Sequence, residues 1–263
     1  MKVLLTNDDG ITATGLQVLR RALLEVPDIE LAVIAPDSNR SATARSITYR
    51  EPITVEEVEF DDGTSGFATS GTPVDCVRFA ALGLIDLEPE LIVSGINHGA
   101  NLGDDITYSG TVAAALEGIV LGLPAIAVSQ QQHEGENDMD FDRVAAFVAR
   151  MVEELEEVPM PEGTLLNVNA PAGEAVGVRA CRLGKRIYRD RMELTDEQDG
   201  RRRYRMYGDT PGYHREEGTD FAAIADRCIA VTPLHFDLTD QAGIEALSGF
   251  DLDRLLRPAA REV

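Results

Sequence analysis

The sequence has almost no lysine and no tryptophan. Its 24 basic residues include only two lysines, Lys2 and Lys185, against 46 acidic residues, so the formal net charge is -22. Such a charge repels the phosphate backbone of DNA and RNA and excludes a general nucleic-acid binder that lacks a local basic patch. Acidic excess with arginine in place of lysine predicts a halophilic protein that works in concentrated salt, although a GC-rich genome also favours arginine over lysine.

Cysteine and long apolar runs are scarce as well. The three cysteines, Cys76, Cys181 and Cys228, are widely spaced and form no CxxC motif, which argues against a disulfide framework and against a zinc site. The N-terminal apolar run is too short for a signal peptide, and no stretch has the length of a membrane span. We therefore expect a cytoplasmic protein with no membrane partner.

Short β-rich apolar runs alternate with amphipathic helical stretches through the first 170 residues. This alternation is typical of parallel βαβ units and predicts a Rossmann-like, doubly wound, mostly parallel α/β sheet. Strands are predicted at 3–6, 29–35, 91–94, 125–129 and 165–169, a hairpin pair at 53–60 and 67–69, and helices at 15–26, 73–84, 111–121 and 141–157.

Residues 171–263 have a different character. Arginines and tyrosines crowd the segment 179–215, which predicts a β-hairpin arm rather than another βαβ unit. These arginines either pair with carboxylates of a neighbouring subunit or recruit nucleotide, and the shortage of cations in the chain favours the first. We expect a short helix at 220–227, a strand at 228–232 that returns to the sheet, and a C-terminal helix at 244–256. The chain is thus divided into a catalytic core over 1–170 and a C-terminal arm over 171–263.

Polar loops follow the predicted strands at the edge where doubly wound sheets bind ligands. Asp8 and Asp9 follow the first strand, and a hard divalent cation relieves the repulsion between two adjacent carboxylates. With a hydroxyl from Ser41 and an amide oxygen from Asn97, they form an all-oxygen shell suited to one Mg²⁺ or Mn²⁺ per subunit. Asp-Asp-Gly is also typical of an ordinary turn, but its position after a buried strand favours the metal site.

A second polar sequence, Ser109-Gly110-Thr111, opens a predicted helix. Backbone N–H groups and hydroxyls at this position suit an anion, although serine is equally typical of an ordinary helix cap. A metal site and an anion cradle on one sheet edge predict phosphate chemistry. The candidate phosphate-binding residues are Asn97, Ser109, Gly110 and Thr111.

A series of short motifs runs in order along the chain: TNDDGI at 6–11, APD at 35–37, RSAT at 40–43, SIT at 46–48, GTP at 71–73, DCV at 75–77, VSGIN at 93–97, SGTV at 109–112, ALEG at 115–118, GTD at 218–220 and VTPL at 231–234. Together they resemble the survival protein E (SurE) family of metal-dependent nucleotidases. The resemblance implies the metal ligands Asp8, Asp9, Ser41 and Asn97. It also implies hydrolysis of nucleoside 5'-monophosphates, with 3'-monophosphates as a second substrate class, and a homodimer or homotetramer that exchanges C-terminal segments.

Asp8 is the predicted catalytic residue, because a carboxylate at the end of a buried strand is rigidly held and can orient or deprotonate the attacking water. His98 and His235 are weaker candidates for acid/base chemistry.

Two other classes of protein remain open. A phosphatase of the haloacid dehalogenase type needs two aspartates one residue apart, whereas Asp8 and Asp9 are adjacent. A nucleotide sensor on a Rossmann-like sheet would have a GxGxxG motif after the first strand, where this chain has NDDG.

Overall fold

The computed structural model describes residues 1–132, 139–208 and 212–256. Within these ranges, thirteen strands, six α-helices and two short 3-10 helices form. The strands are β1 (Lys2–Thr6), β2 (Glu30–Pro36), β3 (Val55–Glu59), β4 (Ser65–Thr69), β5 (Leu91–His98), β6 (Ala125–Gln130), β7 (Thr164–Ala170), β8 (Gly177–Ala180), β9 (Arg186–Ile187), β10 (Asp190–Gln198), β11 (Arg201–Gly208), β12 (Gly212–Tyr213) and β13 (Cys228–His235). The α-helices are α1 (Thr14–Leu24), α2 (Pro73–Ala81), α3 (Gly110–Val120), α4 (Asp142–Glu153), α5 (Asp220–Ala225) and α6 (Gln241–Ser248); the 3-10 helices are Gly103–Thr107 and Leu252–Leu256.

Nine strands form one sheet in the order β3-β4-β2-β1-β5-β6-β7-β13-β8. The strands from β4 to β7 in this order run parallel to one another. Strands β3 and β13 are antiparallel to β4 and β7, and β8, which the sequence pattern did not predict, is a four-residue edge strand parallel to β13. The mostly parallel sheet confirms the predicted α/β class.

Helices cover both faces of the sheet. Leu16 and Leu19 of α1 belong to the same buried cluster as Leu5 of β1, and α4 completes this layer. On the other face, Val112 of α3 joins Leu4 of β1 in a second cluster that also includes α2. Because successive side chains of a strand point to opposite faces, Leu4 and Leu5 anchor β1 in both layers. The loops at the carboxyl ends of the strands therefore stand on a rigid base.

All helices and strands predicted in the first 170 residues are present, with boundaries that differ by a few residues. Helix α2 ends at Ala81 rather than at residue 84, because Gly83 adopts a φ of +87° that does not continue a helix. The predicted continuous helix over 244–256 is wrong: α6 ends at Ser248 and a separate 3-10 helix follows. The N–H groups of Gly249 and Phe250 bond to carbonyls three residues earlier, which tightens the chain and ends the α-helix.

The arm contains the predicted β-hairpin. Strands β10 and β11 pair around Asp199 and Gly200, both with positive φ, a turn that matches the twist of antiparallel strands. Every residue of β10 is exposed, and α6 has no buried residue. Residues 209–211 and 257–263 of the arm lie outside the described residues. No helix in the described part of the chain combines the length and apolar character needed to cross a bilayer.

Candidate active site

The loop that follows β1 is held by its own first residue. Asn7 is fully buried, and its amide donates to the carbonyl of Gly10 at 2.9 Å and accepts from the Gly10 N–H at 3.2 Å. Gly10 has a φ of +107°, and a Cβ there would lie 3.3 Å from the Ser38 backbone, so only glycine fits without strain. This closed turn fixes the backbone of Asp8 and Asp9 at the carboxyl edge of the sheet.

Asp8 is a buried carboxylate, with 3% of its surface exposed. The hydroxyl of Thr111 donates to its Oδ1 at 2.5 Å, and among the described residues no side chain donates to Oδ2. The backbone N–H groups of Asp8 and Thr111 also act on the carboxyl. Burial raises the pKa of Asp8 above its ordinary value; the Thr111 hydrogen bond opposes this shift, and the charge of Asp9 adds to it. A cation beside Asp8 would reverse this effect by favouring the charged form.

Asp9 is held through both of its oxygens. Its Oδ1 accepts from the side-chain amide of Asn39 at 3.0 Å, and its Oδ2 accepts from the backbone N–H of His98 at 3.0 Å. The same Asn39 side chain accepts from the backbone N–H of Ser41 at 2.8 Å. Asn39 therefore joins two predicted metal ligands, Asp9 and Ser41. No sequence pattern distinguishes it from the other polar residues of its loop.

The loops after β2 and β5 close the group. The Arg40 N–H donates to the Asp8 carbonyl at 2.7 Å, which brings the Ser41 loop against the end of β1. At the end of β5, the Asn97 amide donates to the Gly99 carbonyl at 2.7 Å, and no donor in the described ranges reaches its Oδ1. The structure thus gathers Asp8, Asp9, Ser41 and Asn97 from three neighbouring strand ends.

The donor set fits a hard divalent cation. Neither Asp8 nor Asp9 forms an ion pair with a basic side chain of the described residues. In the same ranges no group of three or more His, Cys, Asp or Glu side chains is arranged to hold a metal, so a site here would need the neutral oxygens of Ser41 and Asn97 beside its two carboxylates. Carboxylate, amide and hydroxyl oxygens are the ligands that Mg²⁺ prefers.

The start of α3 lies directly against Asp8. A Cβ on Gly110 would sit 2.8 Å from the Asp8 Cβ and 2.9 Å from its Oδ2. Ser109 caps the helix, since its hydroxyl accepts from the Val112 N–H at 3.1 Å, and the hydroxyl of Thr111 is engaged with Asp8. The N–H groups of Gly110 and Thr111 belong to the first turn and have no carbonyl partner within the helix. For an anion, these backbone groups matter more than the two hydroxyls.

The two histidines lie in different places. The ring of His98 stacks on Phe141 with 5.0 Å between ring centroids, and only its backbone N–H contacts Asp9. His235 pairs with Thr164, the first residue of β7, and so lies toward the amino edge of the parallel strands. The candidate site is at the carboxyl edge, which leaves His235 far from the chemistry predicted there.

The chain is similar along nearly its whole length to proteins of one known family. The family described as survival protein SurE matches residues 3–190. The chain is 51% identical over 266 residues to the 5'-nucleotidase SurE of Rubrobacter xylanophilus, covering 97% of this chain and 99% of that protein. It is 44% identical to the 5'-nucleotidase SurE of Desulforudis audaxviator, covering 96% and 98% of the two chains. The crystal structure of the SurE protein from Aquifex aeolicus superposes with a TM-score of 0.78 at 37% identity, covering 94% of this chain and all of that one. The chain therefore belongs to the SurE family.

Proposed function

We propose that the chain is a divalent-metal-dependent 5'-nucleotidase, a phosphoric monoester hydrolase that removes phosphate from nucleoside 5'-monophosphates. The enzyme class rests on the SurE relatives named 5'-nucleotidase that match nearly the whole chain. The observation that supports the chemistry is the contact between the Asp8–Asp9 pair and the first turn of α3. A cation-binding pair of carboxylates beside first-turn N–H groups that have no carbonyl partner in the helix suits a phosphate ester, whose negative oxygens need positive charge beside them.

Asp8, Asp9, Ser41 and Asn97 would hold one Mg²⁺ or Mn²⁺. Bound there, the cation would withdraw charge from a phosphoryl oxygen and lower the pKa of a bound water. Asp8 has a separate task. Its Oδ1 is fixed by the Thr111 hydroxyl while its Oδ2 has no side-chain donor among the described residues, so Oδ2 can accept a hydrogen bond, and then a proton, from the attacking water.

The phosphate is held mainly by neutral donors. The N–H groups of Gly110 and Thr111, reinforced by the positive end of the α3 dipole, bind the equatorial oxygens, and the Ser109 hydroxyl retains a hydrogen to donate. Asn97 lies at the end of β5, and its amide has a second N–H, besides the one bonded to the Gly99 carbonyl, that can donate to the same oxygens. The chain has two lysines in all, and this neutral cradle accounts for phosphate binding without them.

A phosphate-release assay tests the proposal. Nucleoside 5'- and 3'-monophosphates are each incubated with Mg²⁺, Mn²⁺ or a chelator, at low and at molar salt. We expect release from the 5'-esters with either metal, slower release from the 3'-esters, and none with chelator. Nucleotide binding that persists without hydrolysis would indicate a sensor, and a trapped phosphoenzyme would indicate the haloacid dehalogenase mechanism; either result overturns the proposal.

We also propose that the enzyme is a homodimer or homotetramer in the cytoplasm. The C-terminal segment exposes large apolar side chains of α6 and of the residues after it, and the hairpin exposes others, which is costly unless a second subunit covers them. The three cysteines are free thiols, as expected in a reducing compartment. The exposed apolar residues are Met192, Leu194, Tyr204, Met206, Ile244, Leu247, Phe250, Leu252, Leu255 and Leu256.

Light scattering after gel filtration tests the assembly. The full chain should elute with at least twice the 28.5 kDa mass of one subunit. Leu247→Glu should shift that mass downward if α6 lies in the interface, while Glu245→Gln on the same helix should not. A monomeric full chain at micromolar concentration would contradict the assembly proposal without affecting the proposed activity.

A further inference from the structure

The fully buried carboxylate of Asp220 joins three segments that are distant in sequence. Its Oδ2 accepts from the Gly103 N–H at 2.7 Å, and its Oδ1 accepts from the N–H groups of Gly184 and Phe221, each at 2.8 Å. Gly103 opens the 3-10 turn before α3, and Gly184 lies at the base of the arm. The candidate active-site helix and the arm are thus tied to the same side chain.

A second contact joins the same two segments. Arg186 of β9 donates through Nε to Oδ2 of Asp105 at 2.7 Å and through Nη2 to the same oxygen, and Tyr188 donates to Oδ1 at 2.5 Å. Burial and the hydrogen bond to Asp105 raise the pKa of Tyr188 above its ordinary value, so the phenol remains a donor. The backbone N–H of Arg186 also donates to Asp104 at 3.0 Å. The 3-10 turn thus presents two carboxylates to one short stretch of the arm.

The base of the arm is packed as well as hydrogen-bonded. The Arg186 guanidinium lies over the ring of Phe221 at 4.7 Å from its centroid, and the ring of Tyr213 in β12 stacks on the same Phe221 with 4.9 Å between centroids. A Cβ on Gly103 would lie 2.6 Å from the Phe221 ring and 2.7 Å from the Gly184 carbonyl. The turn therefore has no room to move independently of the arm base.

The turn continues directly into the phosphate cradle. The Tyr108 N–H bonds to the Asp105 carbonyl at 3.0 Å, and the Ser109 N–H bonds to the Ile106 carbonyl at 3.4 Å. Ser109 is the N-cap of α3, and Gly110 is its first residue. A displacement of the turn therefore carries the first N–H groups of α3 with it. Beyond the base, by contrast, every residue of β10 is exposed.

We propose that Asp105 and Asp220 are positioning residues for the phosphate cradle, because they fix the Gly103–Thr107 turn against the base of the arm. Phosphate affinity at the start of α3 then depends on how the arm base is docked. This inference rests on the proposed function, since it takes the start of α3 as the place where substrate phosphate binds. Neither carboxylate touches the substrate.

Asp105→Asn provides the test, because Asp105 is 24% exposed and its loss is more easily tolerated than that of Asp220. We expect the KM for adenosine 5'-monophosphate and the inhibition constant of inorganic phosphate to rise together by roughly tenfold, with kcat changed by less than about twofold, as for a loss of uniform binding. Asp226→Asn is the matched control, since it removes a 2.6 Å ion pair with Arg179 that does not touch the turn. Its KM should equal that of the wild type.

Two further measurements separate positioning from a general structural effect. In a double-mutant cycle, adding Arg186→Gln to Asp105→Asn should raise KM little more than either change alone, because both break the same contact. Titration with Mn²⁺ should give the same affinity for Asp105→Asn as for the wild type, since the metal ligands lie on other loops.

The outcomes are distinguishable. A wild-type chain that releases no phosphate would remove the proposed function. A wild-type chain that hydrolyses nucleotides while Asp105→Asn keeps a normal KM and phosphate inhibition constant would overturn this inference alone. It would also be overturned if Asp226→Asn raised KM equally, or if the two substitutions in the cycle were additive.

Discussion

Thr111 donates a 2.5 Å hydrogen bond to Asp8 across 103 residues of sequence, and this bond links the end of β1 to the first turn of α3. The bond engages Oδ1 and leaves Oδ2 of the carboxylate without a side-chain donor in the described part of the chain. It also brings the Asp8 side chain so close to Gly110 that a Cβ on this glycine would lie 2.8 Å from the Asp8 Cβ. The catalytic proposal and the phosphate cradle therefore depend on one contact.

Gly110→Ala tests how closely the helix must approach Asp8. The new Cβ would lie 2.8 to 2.9 Å from Asp8 atoms, which real Cβ contacts do not allow, so the carboxylate or the helix start must shift. We expect kcat/KM to fall about a hundredfold, in keeping with the sensitivity of catalysis to small misplacements. Steady-state kinetics measures this fall. Gly177→Ala is the control, because its Cβ would meet only Cys228 Sγ at 3.5 Å, and it should keep wild-type kinetics.

Asp8→Asn tests the acid/base assignment. The amide keeps the volume of the side chain but cannot accept a proton from water and is a weaker ligand for the metal, so kcat should fall about a thousandfold or more even at saturating metal. The circular dichroism spectrum should not change, because β1 is held by apolar contacts on both faces. Asp86→Asn, an exposed position, controls for the change in net charge. Near-normal turnover by Asp8→Asn would remove Asp8 from the mechanism.

Local pattern was sufficient to predict the core and the sheet edge at which the loops of the candidate site meet. Parallel strands buried on both faces are near-continuous apolar runs, and their polar ends meet at one edge by the geometry of the sheet, so the convergence of Asp8, Asp9 and Asn97 follows from strand order alone. The role of Thr111 did not follow. The sequence pattern indicated that its hydroxyl binds phosphate, whereas in the structure this hydroxyl donates to Asp8. A contact between residues 103 positions apart depends on where α3 packs along the sheet, which local pattern does not determine.

The arm shows the other limit of sequence reasoning. The hairpin was predicted from the arginines and tyrosines that crowd 179–215, and the structure places its two-residue turn at Asp199-Gly200. The docking of the arm base could not be predicted. Gly184 and Asp220 are 36 residues apart, and the contact uses the backbone N–H of Gly184, a group that carries no sequence signal. Likewise the split of the C-terminal helix after Ser248 depends on a local tightening of the backbone that helical spacing does not reveal.

Glu117→Gln tests a buried ion-pair cluster on α3. Glu117 is 1% exposed, and each of its oxygens lies 2.7 Å from an arginine, Arg45 on one side and Arg78 on the other. The amide would point an N–H group at one guanidinium, so we expect the free energy of unfolding in urea to fall by about 2 kcal/mol, less than for a fully buried pair because both arginines are partly exposed. Glu153→Gln on α4 is exposed and should change stability by less than about 0.5 kcal/mol. Equal stability of the two variants would show that the cluster contributes nothing.

The free energy of unfolding should rise with salt, because the folded chain has a net charge of -22 and its excess carboxylates repel one another. The screening length falls from about 10 Å at 0.1 M to about 3 Å at 1 M, so repulsion between exposed carboxylates that are not in contact is largely removed over this range. We expect the melting temperature to increase by at least about 5 °C between 0.1 M and 2 M KCl, equivalent to roughly 2 to 3 kcal/mol for a chain of this size. Ion pairs oppose this trend, since those of Arg179 and Arg182 are exposed and weaken with salt, but each contributes little. Differential scanning calorimetry at several salt concentrations measures the balance. A melting temperature that is flat across the series would mean that the acidic excess is no adaptation to salt, and a GC-rich genome would then account for the arginines.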